Sequence, residues 1–167
     1  MNTESAQEKV NYENYVIKNW EDENLNLDTS LLRGIYAFGF EKPSPIQCKA
    51  LMPMTSDNNR DIIAQAQSGT GKTGAFVVGV LQKLCDAKPE TVNHTFALVL
   101  APTHELATQS MKVFKRISKF IKPEVRIELI VGGTSIEDNK QSLSQNKPQI
   151  VVGTPGRIQD MLRRKYL

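Results

Sequence analysis

The sequence predicts an α/β fold, a parallel sheet flanked by helices, and three observations predict it. Apolar, branched runs of strand length alternate with helix-like stretches along most of the 167 residues. A glycine-rich stretch, AQSGTGKT from Ala66 to Thr73, stands between one such run and one such stretch. The other turn-like motifs each follow the end of a strand-like run, the edge at which open parallel sheets present their loops.

The elements follow in chain order. The opening carries Glu4, Glu8, Glu13, Glu21, Asp22, Glu23 and Asp28, so residues 1–23 are expected to form a flexible acidic arm, and residues 24–167 one domain. Leu31, Leu32, Ile35, Tyr36 and Phe38 share one helical face, which Gly39 can end. Ser44 and Pro45 then read as a cap and first-turn proline, Gln47 can complete a capping box, and Pro53 limits or kinks the helix. DIIAQA (61–66), FALVLA (96–101), RIELIVG (126–132) and QIVVGT (149–154) are the predicted strands. Helices are predicted over 73–84, 105–120 and 136–143, and RIQDMLRRKYL reads as a last one.

Composition excludes several classes. With 21 Lys and Arg against 18 Asp and Glu, the net charge of +3 argues no nucleic-acid binding by itself, and it leaves room for a local basic patch. No run reaches the roughly 18 apolar residues of a membrane span, and the start is too acidic to resemble a signal peptide. Cys48 and Cys85 have no metal or redox spacing and read as reduced, buried thiols of an intracellular protein.

AQSGTGKT matches the pattern GxxxxGK followed by Ser or Thr, except that Ala66 replaces the first glycine. Gln67, Ser68, Gly69, Thr70 and Gly71 would form a tight path whose N–H groups point inward toward a nucleotide's phosphates. Lys72 would reach the terminal phosphates, and the Thr73 hydroxyl would hold magnesium. Gln47 offers an amide donor and acceptor that match adenine's edge, or serves only as a helix cap. Trp20 would stack on a base, or anchor the arm on apolar surface.

PTHELATQ follows FALVLA, a glycine pair follows IELIV, and TPGR follows IVVG. Each places exposed amides or hydroxyls near a helix start, which suits a sugar-phosphate backbone. Arg157 adds a cationic fork. Lys112, Lys115, Arg116, Lys119 and Lys122 read best as a solvated helix face.

Together, LLRGIYAFGFEKPSPIQ, AQSGTGKT, PTHELATQ, the glycine pair and TPGR resemble the DEAD-box family of ATP-dependent RNA helicases, especially its translation-initiation branch. The resemblance covers residues 24–167 and implies an incomplete first lobe of the RecA-like P-loop NTPase type. It makes Gln47 the adenine reader, assigns ATP and magnesium to Lys72 and Thr73, and assigns RNA to Pro102, Thr103, Gly132, Gly133, Thr154, Pro155, Gly156 and Arg157. It also implies translation-initiation or RNA-processing partners and a cytoplasmic more than a nuclear setting. His104 departs from the family's usual arginine, which is expected to weaken or alter RNA coupling.

The resemblance places a strand ending in Asp-Glu-Ala-Asp, and a second lobe, beyond Leu167. Residues 1–167 alone are therefore expected to show no RNA-dependent ATP turnover, and to need the helicase remainder or a partner chain for a stable fold. The alternative is a non-catalytic RNA- or partner-binding module; a small-molecule P-loop kinase would leave GFEKPSPIQ and TPGR without a role.

Overall fold

The computed structural model describes residues 15–56 and 61–167. Two helices come first, α1 (Thr29–Phe38) and α2 (Pro45–Thr55), followed by α3 (Lys72–Asp86). Then strands and helices alternate: β1 (Ala97–Leu100), α4 (His104–Ile117), β2 (Ile127–Ile130), α5 (Ile136–Asn146), β3 (Ile150–Gly153) and α6 (Pro155–Arg163). The α/β class and the parallel sheet are as the alternation requires.

Local chemistry explains the helix ends. Asp28 caps α1 by accepting from the Ser30 and Leu31 amides, and Gly39 closes it in the left-handed region at φ 102°. Pro45 opens α2, which runs through Pro53 to Thr55. Thr103 caps α4 by accepting from the Leu106 amide, and Ser135 caps α5 by accepting from Asp138.

The sheet is wholly parallel in the order β1-β3-β2. Its central strand β3 is buried along its whole length, as a strand with neighbours on both sides and helices over its faces must be. The register sets Leu100 and Ile130 beside Gly153, so the ends of all the strands lie level.

The core begins earlier than the boundary expected at residue 24. Ile17, Trp20 and Leu25 are buried with Leu31, Ile35 and Leu51. Trp20 is 0% exposed and stacks on Phe40 at 6.2 Å, with Phe38 edge-on to Phe40 at 4.7 Å. Single apolar residues spaced through a polar stretch carry no periodic signal, which is why the segment reads as an arm. The part of that arm in residues 1–14 lies outside the described residues.

The strand expected over residues 61–66 does not form. Ile63 is 100% exposed and Ile62 exposed beside it, and the segment has no ladder partners among the described residues. A strand exists only through its neighbours, and among the described residues none pairs with this segment. Among the described residues β1 pairs only with β3, and its leucines are open too: Leu98 is 43% and Leu100 54% exposed. An unpaired edge with exposed leucines is a template for association.

Burial pushes the Cys85 thiol up to about 12, with the Asp28 and Asp86 carboxylates adding to the effect, and raises Cys48 too. Both cysteines are free and half-buried, and both are held as unreactive thiols near neutral pH.

Helix α1 leans on α4 through Gly34, where an added Cβ would stand 1.8 Å from the Ile117 carbonyl oxygen. Two cation–π contacts flank the crossing, Arg33 over Phe120 and Arg116 over Phe38. Gly34→Ala is expected to cost about 2 kcal/mol of stability; an unchanged denaturation midpoint would show that the crossing tolerates a side chain. The chain is also expected to self-associate through the β1 edge, and Leu100→Lys to return it toward monomer in light scattering. Equal association of both proteins would place the contact elsewhere.

Candidate functional site

The glycine-rich stretch folds as a closed loop at the start of α3. Gly69 and Gly71 adopt left-handed φ values of 79° and 101°, and Gly71 is the residue before the first helical turn. That turn's N–H groups have no partner within the helix and lie at its positive end, which makes the loop an anion cradle. Lys72 curls back over it, Nζ donating to the Ala66 carbonyl at 2.5 Å and the Gln67 carbonyl at 2.6 Å. Thr70 Oγ1 donates to the Gln67 carbonyl at 2.7 Å from the other side. Ser68 and Gly69 form the exposed tip. The ammonium therefore stands at the mouth of the cradle, held by neutral carbonyls that an anion can replace.

Gln47 ties α2 to this loop. Its Oε1 accepts from the Ser44 amide at 2.7 Å, and its Nε2 donates to the Gly71 carbonyl at 3.2 Å. These partners settle which amide end is which, since the Ser44 N–H requires an acceptor and the Gly71 carbonyl requires a donor. Gln47 is 2% exposed, and one N–H and one lone pair of its amide stay uncommitted. The capping role and a reading role are thus compatible. The Ser44 hydroxyl beside it is buried without a hydrogen-bond partner.

A groove of about 450 Å³ runs from Thr73 and Phe76 on α3 across Leu98, Leu100 and Pro102 to Leu106 on α4. It makes the cradle and the loop after β1 neighbours. Thr103 uses its hydroxyl to cap α4 at 3.2 Å from the Leu106 amide, and His104 is exposed in the first turn.

The loops after β2 and β3 complete the edge. Gly132 and Gly133 are exposed, Gly133 at φ 84°. The Thr154 amide donates to the Ile130 carbonyl at 3.2 Å, and Pro155 and Gly156 are exposed in the first turn of α6. Arg157 points across to the glycine loop, where it donates to Thr134, and to Asn139 on α5.

So the structure gathers Gln47 and residues 66–73 at one place and Pro102, Thr103, Gly132, Gly133 and 154–157 along one sheet edge. Trp20 stands apart. With its ring fully buried against Phe40, no face is open to a base, so here it is the apolar anchor. The motif reading missed Asn139, which shares the buried face of α5 with Leu143. A polar residue on the otherwise buried stripe of a short helix is the signal that marks it.

The family model for DEAD/DEAH box helicases matches residues 44–167. The chain belongs to the DEAD/DEAH box helicase family. Against "ATP-dependent RNA helicase eIF4A" of Botryotinia fuckeliana it is 50% identical over 145 residues, 87% of this chain and 34% of that protein. Among solved structures, S. cerevisiae Dbp5 bound to RNA and ADP BeF3 superposes with a TM-score of 0.75 at 39% identity, covering 87% of this chain and 34% of that one. The yeast DEAD-box splicing factor Prp28 gives a TM-score of 0.81 at 34% identity, covering 91% of this chain and 36% of that one. The chain spans about a third of the length of the curated DEAD-box relatives it matches.

Gly71 is where the cradle and α2 touch. An added Cβ would stand 2.8 Å from Ser44 Oγ and 2.9 Å from Gln47 Nε2, at a φ that side chains rarely adopt. Gly71→Ala is expected to lower stability by about 1–3 kcal/mol and to part α2 from the loop. A thermal unfolding curve identical to the parent's would remove this contact from the account.

Proposed function

We propose that this chain is the ATP-binding and RNA-backbone-binding part of an ATP-dependent RNA helicase. The observation that carries the reading is the level strand edge, along which three backbone-presenting loops lie in line and the first adjoins the phosphate cradle. The names of its relatives, an ATP-dependent RNA helicase and a helicase bound to RNA and ADP BeF3, support the same reading.

The cradle fits a magnesium-bound nucleoside triphosphate. The N–H groups at the start of α3 would take the phosphates, and Lys72 would exchange its carbonyl partners for phosphate oxygens. Gln47 would read adenine with its remaining donor and acceptor, while its bond to Gly71 passes the cradle's position to that amide. Magnesium would rest on the Thr73 hydroxyl beside the phosphates. When bound, magnesium would neutralise charge on the phosphates.

The loop residues Pro102, Thr103, Gly132, Gly133, Thr154, Pro155, Gly156 and Arg157 would hold RNA by its backbone, without reading bases. Residues 1–167 alone would bind and not turn ATP over, and the family activity of local duplex unwinding belongs to the longer arrangement of its relatives. Translation initiation or RNA processing would be its setting, in line with relatives named as an eIF4A helicase and a splicing factor. No helix among the described residues is long and apolar enough to cross a membrane.

The unpaired β1 edge favours one second reading, a binding module that acts by pairing with another chain without catalysis.

Calorimetric titration of the chain separates these ideas. ATP is expected to bind more tightly than GTP, and Gln47→Ala to erase the difference. Lys72→Ala is expected to weaken both nucleotides about a hundredfold, through the loss of a charge-assisted contact to phosphate. Equal affinity of the parent for ATP and GTP would remove Gln47 as the adenine reader.

A further inference from the structure

The lysines at the end of α4 and just after it form one wall of a groove. The groove encloses about 690 Å³ beside β2, with Lys115, Lys119 and Lys122 on one wall and Gln145 and Asn146 of α5 on the other. Its floor is the chain from Glu124 to Glu128, which leads into β2. The loops that carry the glycine pair and Arg157 leave the opposite ends of the strands, so the groove lies away from the cradle and its neighbouring loops.

An outer strand supplies the groove with backbone groups. In the order β1-β3-β2, β2 is an edge strand, and among the described residues nothing pairs with its far side. The Ile150 amide of β3 donates to the Arg126 carbonyl, and the Thr154 amide donates to the Ile130 carbonyl. In a parallel ladder with Ile127 beside Ile150, the N–H and C=O of Ile127 and Leu129 therefore point outward. These alternating donors and acceptors match another extended peptide backbone. A phosphodiester offers acceptor oxygens and would leave the outward carbonyls unmet.

The two walls differ in charge. Lys115, Lys119 and Lys122 are exposed, and the ion pairs among the described residues lie elsewhere, Lys140 with Glu137 and Arg164 with Asp160. On the α5 side, Asn146 Nδ2 donates to Glu128 Oε2 at 3.3 Å, so that wall carries a carboxylate and amides. Arg126 is turned to the Lys147 and Val92 carbonyls, each at 3.0 Å. Side chains of an added strand alternate between two faces. One set would meet the lysines, where acids fit, and the other would meet Glu128 and the amides, where neutral residues fit. A uniform polyanion would meet Glu128 as well as the lysines.

We propose that the outer edge of β2 is a docking groove for an extended acidic segment of a partner protein. The segment adds as a strand and turns acidic side chains at alternate positions toward Lys115, Lys119 and Lys122. Backbone bonds to Ile127 and Leu129 hold it, and the lysine wall selects its sequence. A partner seated there leaves the cradle open to nucleotide.

The test is fluorescence anisotropy of a labelled peptide of alternating Glu and Val, about eight residues long, with the full 167-residue chain. The parent is expected to bind it, less tightly as salt rises. It should not bind the same peptide with Lys in place of Glu, or with its amides N-methylated. Lys115→Glu is expected to weaken binding about fivefold at low salt. Lys49→Glu makes an equal change of net charge at an exposed position on α2, and should leave the affinity unchanged. No binding by the parent, or equal losses in the two variants, would overturn the groove. Undiminished binding of the N-methylated peptide would overturn strand addition and with it the proposal. Oligouridine that displaces the peptide, and itself binds Lys115→Glu more weakly, would make the groove a nucleic-acid surface and overturn the protein partner. If Lys115→Glu does not fold, Lys119→Gln against Lys49→Gln carries the same comparison, and equal affinities there overturn the groove.

Discussion

The proposed site depends on the backbone ladder through β3. The Ala101 amide donates to the Gly153 carbonyl at 2.9 Å, and the Thr154 amide donates to the Ile130 carbonyl at 3.2 Å. These last rungs carry the register past the strands and into the loops. They are why motifs far apart in sequence emerge at one height and side by side, about 4.8 Å between neighbouring strands. Gly153 permits the approach, since an added Cβ there would stand 2.3 Å from the Ile130 carbonyl oxygen. A slip of one residue would exchange the side chains that β3 presents to the two sheet faces as well as misalign the loops, so core packing and site geometry enforce the same register.

A second constraint joins the cradle to the rest. Gln47 is nearly inaccessible, yet both ends of its amide are satisfied, one by the Ser44 amide and one by the Gly71 carbonyl. Burial without those partners would be costly. With them, it makes the start of α2 and the start of α3 one unit. Lys72 adds a reversible element, because its ammonium rests on carbonyls of the cradle's own entry strand of chain. The cradle is thus closed on itself by contacts that suit exchange for phosphate.

Much of this was legible in the residues. The terminating Gly39 and the first-turn Pro45 act within a few positions, so their effects are local and the sequence shows them, whereas the caps Asp28, Thr103 and Ser135 emerge from the structure. The strand-like composition of 61–66 was equally plain, but composition supplies no partner, and Ile63 stands in solvent. Trp20 left two readings open, a base stacker or an apolar anchor, and its burial against Phe40 and the core matches the anchor. Arg157 read as a free cationic fork because its partners, Thr134 and Asn139, lie on other elements.

By itself, then, the sequence determined the α/β class, the glycine-rich loop before α3, the positions of the loop motifs and the family. These follow from periodicity, caps and short spacings, all of them interactions between near neighbours in the chain. Only the tertiary structure decided which strands pair, that the core reaches back to Ile17, that Trp20 anchors and does not stack on a base, and that Asn139 holds Arg157. The physical reason is that pairing, burial and charge compensation are properties of groups brought together from distant positions, and no single stretch of chain contains both partners.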